Sequence, residues 1–143
     1  PHCIESYEAP EEMIKDIKNV FSTIPGFDIF TYLENFCKAV KEQKNGFEAA
    51  CPVRDEQNNE KIYLYRGKGC AKCSYKGYAG RIGIFEVLAI SEPMVPIIMK
   101  NGLASELEKI GLQEGMLQMI QDGYLKALEG KTTIEEVLRV AQD

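Results

Sequence analysis

No stretch of this sequence approaches the roughly 18 consecutive apolar residues that a membrane span needs, and its start carries neither a basic nor an apolar leader. Membrane insertion and secretion are therefore not expected, and the chain reads as cytosolic. Positive charge is also scarce, with 17 Lys and Arg against 22 Asp and Glu and a net charge of −5. Composition supplies no broad electropositive face for nucleic acid or an anionic bilayer, so protein or ion partners are expected. A phosphate cradle is missing too: no Gly-x-x-x-x-Gly-Lys run followed by Ser or Thr occurs. The stretch "EGKTT" at residues 129–133 has the Gly-Lys-Thr, but Leu125 stands where the first glycine belongs. It also separates two predicted helices rather than following a strand, so it is not read as a nucleotide site. An initiator Met is absent, which fits either its removal or a piece cut from something longer.

What is present suits one ordinary core. The chain has 143 residues, 45% of them hydrophobic, enough for a single compact unit with at most a small satellite. Five cysteines, Cys3, Cys37, Cys51, Cys70 and Cys73, form an odd set without a secretion signal. That argues against a disulfide framework and makes metal binding the leading use of the thiols.

Helical periodicity dominates the pattern. Pro10-Glu11-Glu12 opens a first helix with Met13, Ile14, Ile17, Val20 and Phe21 on one stripe, closed by Pro25-Gly26. Thr31 and Glu34 have capping-box spacing for a second, with Leu33, Phe36, Cys37 and Val40 on its apolar face and Asn45-Gly46 as its stop. Residues 54–61 are polar and read as a loop. Residues 62–65 and 82–88 are rich in β-branched and aromatic side chains and predict an antiparallel pair joined by "GCAKCSYKGYAGR". Gly77, Gly80 and Gly83 are expected to give that connection its unusual backbone angles. Beyond it come a short helix near residues 93–100, weakened by Pro96, then one opened by Ser105 and Glu108. A stripe from Met116 to Leu128 stops at Gly130, and a last helix is capped by Thr132 and Glu135.

Cys70 and Cys73 are two residues apart in a glycine-rich turn, a spacing that aims two thiolates at one tetrahedral zinc. Thioredoxin-like redox chemistry uses the same spacing but needs the pair to open a helix after a strand, and here the following residues are broken by glycines. Cys3 is the natural donor from the other side of the site. Cys37 falls within a helix stripe and reads as a small core hydrophobe, Cys51 as a structural or idle loop thiol, and His2 as a solvated terminal residue. The metal set expected is Cys3, Cys70 and Cys73, with a fourth ligand unassigned. Two alternatives stay open: a free-standing zinc-knuckle interaction module, in which Cys51 completes the site, and a thiol oxidoreductase acting through Cys70 and Cys73.

The run "LYRGKGCAKCSYKGYAGRIGIFEVL" at residues 64–88 resembles the C-terminal region of the type II secretion and type IV pilus assembly ATPases. The matching positions are Gly69, Cys70, Cys73, Gly77, Tyr78, Gly80, Arg81, Glu86, Val87 and Leu88. Residues 112–140 are similar to that family's closing helices. The resemblance implies a second cysteine pair upstream in a Cys-Pro-x-Cys-like segment, which "PHCIESYEAPEE" matches from the proline onward. The first cysteine of that pair is therefore expected one position before Pro1, and the chain is expected to be a piece of the larger ATPase. Residues 27–57, an inserted helix and loop, are longer than the family pattern implies.

These readings combine into a mainly α fold with a small antiparallel β-hairpin, a zinc-clamped C-terminal subdomain of a secretion ATPase. The single unit, residues 1–143, divides into the insertion at 27–57, a zinc-turn hairpin at 62–88 and a helical part at 91–143. The zinc is expected to be structural, and no catalysis is expected of the chain on its own. ATP belongs only to the full-length parent. By resemblance the partners are the rest of the ATPase, neighbouring subunits of its hexameric ring and the inner-membrane platform protein. The implied location is cytoplasmic, peripheral at the inner membrane.

Overall fold

Helix α1 (Glu11–Phe21) starts where Pro10, held at φ −58°, turns the chain, and Glu11 and Glu12 place negative charge at its positive end. The structure is a computed structural model and describes residues 4–43 and 50–141. Ile17 and Phe21 carry the buried face of α1. Helix α2 (Ile29–Gln43) buries Ile29, Phe30, Leu33, Cys37 and Val40, a stripe at helical spacing. Its cap differs from the sequence expectation. Asp28, not Thr31, holds its start: one carboxylate oxygen accepts from the Thr31 N–H at 2.9 Å and from the Thr31 hydroxyl at 2.6 Å. A charged acceptor is the stronger partner for a helix N-terminus, so the helix begins two residues earlier. The expected stop at Asn45-Gly46 lies outside the described residues.

Two short antiparallel sheets accompany the helices. Strand β1 (Ile4–Glu8) pairs with β4 (Tyr63–Gly67), Ile4 lying opposite Gly67 and Glu8 opposite Tyr63. Strands β2 (Val53–Arg54) and β3 (Glu60–Lys61) form a small hairpin within what the sequence shows as a polar loop. Asp55 closes that turn, its side chain accepting from the Gln57 and Asn59 N–H groups at 3.0 and 2.8 Å.

The pairing expected between residues 62–65 and 82–88 does not form. Strand β4 takes β1 as its partner, and residues 82–88 run without strand structure. Side chains of the neighbouring helix take up their backbone groups instead. Phe85 N–H donates to Asp122 at 2.8 Å, and the Lys126 ammonium donates to the Gly83 carbonyl at 2.9 Å. A side chain thus satisfies the donor that a ladder would have used.

The C-terminal half comprises α3 (Val95–Met99), α4 (Ala104–Gln113), α5 (Met119–Leu128) and α6 (Ile134–Ala141). Three caps depart from the sequence reading. Leu103 N–H donates to Glu106 at 3.3 Å, Gln118 N–H to Gln121 at 2.9 Å, and Glu136 N–H to the Thr133 hydroxyl at 3.3 Å. The caps of α4 and α6 lie two and one residues from those read in the sequence, and α5, for which no cap was read there, is capped by Gln121, because several polar residues at each boundary meet the same rule. Gly123 lets α5 and α6 approach closely: a Cβ there would lie 2.5 Å from a Val137 methyl. The core joins Ile17 and Phe21 of α1, Leu33 of α2, Ile62 and Leu64 around β4, Tyr124 and Leu128 of α5, and Val137 of α6.

Candidate metal centre

Strand β4, buried at Leu64 and Tyr65, delivers the chain to the cysteine turn. After Gly67 the backbone passes through Gly69 at φ +80° to Cys70, makes a single 3-10 turn over Ala71–Cys73, and reverses through Ser74 and Tyr75 at φ +52° and +61°. The turn folds tightly on its own stem. A Cβ on Gly67 would lie 2.4 Å from the Gly77 carbonyl oxygen, and one on Gly69 would lie 2.7 Å from that of Tyr75. Tyr75 N–H donates back to the Cys70 carbonyl at 2.9 Å, and Lys76 N–H to that of Cys73 at 3.1 Å. Gly77 and Gly80 have the positive φ angles read from the sequence, whereas Gly83 does not; a Cβ at Gly83 would instead meet the Phe85 ring at 2.5 Å.

This frame holds the two sulfurs of Cys70 and Cys73 3.8 Å apart. Two thiolates each about 2.3 Å from one tetrahedral zinc are separated by about 3.8 Å, so the pair already has the spacing that a shared ion requires. The Cys70 N–H donates to the Cys73 sulfur at 3.1 Å, the kind of backbone bond that stabilises a thiolate ligand. The Cys73 thiol contacts the Cys70 carbonyl at 3.3 Å, and binding a metal at this pair would release the protons of both thiols. Cys73 is buried and Cys70 partly exposed. The helix that redox use of such a pair needs is not there: one 3-10 turn ends in two left-handed residues.

The third expected ligand, Cys3, and its neighbour His2 lie outside the described residues. Among the described residues, Ile4 sits opposite Gly67, three residues before Cys70. Glu5 ties this strand to the stem by ion pairs to Lys68 at 2.8 Å and Arg66 at 2.5 Å. The Lys68 ammonium, then the Arg66 guanidinium, hold its carboxyl below the usual range. The far side of the turn is fixed by Tyr78, whose hydroxyl shares a 2.8 Å hydrogen bond with Thr133 at the start of α6. Lys131, in the Gly-Lys-Thr stretch, pairs with Glu129 at 2.5 Å.

Among the described residues, no three cysteine, histidine or carboxylate side chains gather in a way that could hold a metal ion. Cys51 therefore does not join Cys70 and Cys73. Burial first, and then Cys51, push the Cys37 thiol up to about 12. The sequence also left β1 unread, although its inward residues Glu5 and Tyr7 alternate with outward ones as a strand requires. No helix among the described residues is long and apolar enough to cross a membrane.

Compared with known proteins, residues 17–139 match the family model described as Type II/IV secretion system protein. Type II secretion system protein E of Pseudomonas aeruginosa is 35% identical over 107 residues, 75% of this chain and 21% of that protein. Type II secretion system ATPase E of Vibrio cholerae is 34% identical over 111 residues, 78% of this chain and 22% of that protein. Type IV pilus assembly ATPase PilB of Thermus thermophilus is 41% identical over 75 residues, 52% of this chain and 8% of that protein. The chain thus spans less than a quarter of the length of each of these relatives.

Proposed function

Because the chain belongs to the Type II/IV secretion system protein family, we propose that it serves as the zinc-binding C-terminal part of an ATPase driving pilus assembly or protein secretion. The observation that carries this reading is the 3.8 Å spacing of the Cys70 and Cys73 sulfurs, set in a turn that closes on its own stem. The zinc is structural, held by Cys3, Cys70 and Cys73 with one further ligand. Its role is to clamp the β1 end of the chain to the turn after β4 and, through Tyr78 and Thr133, to the last helix.

Nucleotide chemistry belongs to the part of the relatives that this chain does not span. Its partners are that remainder, neighbouring subunits of a ring, and a platform protein at the inner membrane, with the assembly in the cytoplasm and peripheral to that membrane. One surface supports such partners. Residues 82–103 expose Phe85, Val87, Ile90, Met99 and Leu103, with Val87 74% and Met99 78% accessible. Apolar exposure of that extent in a continuous stretch marks an interaction surface.

The test is the zinc-to-protein ratio of the purified chain and of Cys73→Ser, together with phosphate release from ATP. The expected results are close to one zinc per chain, a large loss in the variant, and no phosphate release above a buffer blank. Equal zinc in both proteins, or hydrolysis abolished by Lys131→Ala, overturns the reading.

A further inference from the structure

Charge is segregated along this chain. Residues 61–81 hold six cations, Lys61, Arg66, Lys68, Lys72, Lys76 and Arg81, and no acid, whereas residues 82–122 hold six acids against Lys100 and Lys109. Lys61, Arg66 and Lys68 are paired with Glu8 and Glu5 of β1. Lys72, Lys76 and Arg81 are exposed and make no ion pair among the described residues. Between Lys72 and Lys76 stands Tyr75, 78% accessible and at φ +61°, directly after Ser74 at φ +52°. Bulky side chains avoid this left-handed region, and a glycine or an asparagine would make the same reversal with less strain. The backbone of Tyr75 is already satisfied, its N–H donating to the Cys70 carbonyl. A bulky ring is thus held outward at a cost in backbone strain that no packing within the chain offsets.

A groove of about 390 Å³ lies between residues 85–89 and the connection from α4 to α5, with apolar walls that include Val87, Leu88, Met116 and Leu117. Two carboxylates line it, Asp122 and Glu114. Asp122 is taken by the Phe85 N–H and the Lys126 ammonium, while Glu114 has no ion pair among the described residues. We propose that a second copy of this chain docks here head to tail, the Tyr75 ring of one copy entering the groove of the next while Lys72 and Lys76 meet the acidic residues around Glu114. Knob and groove stand on the same chain and carry opposite charge, which is the complementarity that selects a second copy as the occupant. The groove is of a size that takes a small organic group, and a tyrosine suits it because its ring is apolar while its hydroxyl can donate to the free carboxylate. The two surfaces differ, so the contact is heterologous and can repeat from copy to copy. It rests on the proposed assembly with neighbouring subunits and names the surfaces that meet, but it does not require a completed zinc site.

The experiment is sedimentation velocity of the 143-residue chain over a concentration series at low and at high salt, with zinc content measured on the same samples. The expected result is self-association that grows with concentration and weakens with salt. Tyr75→Ala is expected to raise the dissociation constant about tenfold or more, as loss of a buried aromatic anchor does. Lys72→Glu/Lys76→Glu and Glu114→Lys each remove association on their own, because each sets like charges face to face. Mixing these two variants restores it, since the unaltered groove of the first then meets the unaltered turn of the second. Glu114→Lys retains the zinc content of the unaltered chain, so its loss of association is a loss of the contact and not of the clamp. Association that persists in a chain without zinc counts against the zinc reading and leaves this contact standing. A chain that stays monomeric at every concentration, association that Tyr75→Ala and Glu114→Lys leave unchanged, or a mixture of the two charge variants that stays monomeric overturns the proposal.

Discussion

Asp28 carries the start of α2 on one carboxylate oxygen, which takes both the N–H and the hydroxyl of Thr31. These bonds, the hydroxyl's first, lower its carboxyl below the ordinary value of 3.8. A lowered acid stabilises the fold fully above its ordinary pKa and loses that contribution as pH falls through the folded value. Asp28→Ala is therefore expected to cost about 1 kcal/mol in urea unfolding at pH 7, with the gap from the unaltered chain shrinking toward pH 2. A gap that stays constant over that range would count against the cap. At the glycines, two kinds of requirement can be separated. Gly67→Ala drives a methyl against the Gly77 backbone and is expected to cost about 1–3 kcal/mol and to weaken zinc retention. Gly80→Ala meets open space and bears only its backbone strain, about 1 kcal/mol. Melting curves of the two variants check the order.

Helix α5 is fastened to α1 by one polar side chain. Gln121 is wholly buried, its amide nitrogen donates to the Val20 carbonyl and the Thr23 hydroxyl, both at 2.8 Å, and its oxygen caps Gln118. Gln121→Leu removes those bonds, the one to the part-buried Val20 carbonyl among them, and is expected to cost about 1–3 kcal/mol, measured by chemical denaturation, although a leucine is the more apolar residue. Elements of this kind were legible to different degrees in the sequence. Helices α1, α2, α5 and α6 announced themselves because their apolar stripes coincide with the buried core, and periodicity reports burial directly. Their ends did not, because Asp28 and Thr31, or Thr132 and Thr133, satisfy the same capping rule, and only the path of the chain chooses between them. Residues 82–88 misled for a related reason. Their β-branched and aromatic content describes a strand, but side chains of α5, Asp122 and Lys126, hold the Phe85 N–H and the Gly83 carbonyl that a ladder would have used.

For the whole molecule, a packed core is accompanied by an exposed apolar stretch. The core of α1, α2, α5, α6 and β4 is closed, while Phe85, Val87, Ile90, Met99 and Leu103 face outward. Phe85→Ser combined with Val87→Ser is accordingly expected to leave the melting temperature of the chain within about 2 °C of the unaltered protein, since exposed side chains contribute little to folding. The candidate site was half legible. Cys70 and Cys73 could be read because their spacing is local, whereas the pairing of β1 with β4, which sets Ile4 opposite Gly67, joins distant segments that no local spacing encodes. The central claim is that the turn and the start of β1 clamp one zinc between them. Its most direct measurement is chelator competition for zinc by the chain itself, by Cys3→Ser, and by a chain extended by one cysteine ahead of Pro1. The account predicts weakest binding in Cys3→Ser and the tightest in the extended chain, with thermal stability rising in the same order. Equal zinc affinity in all three would contradict it.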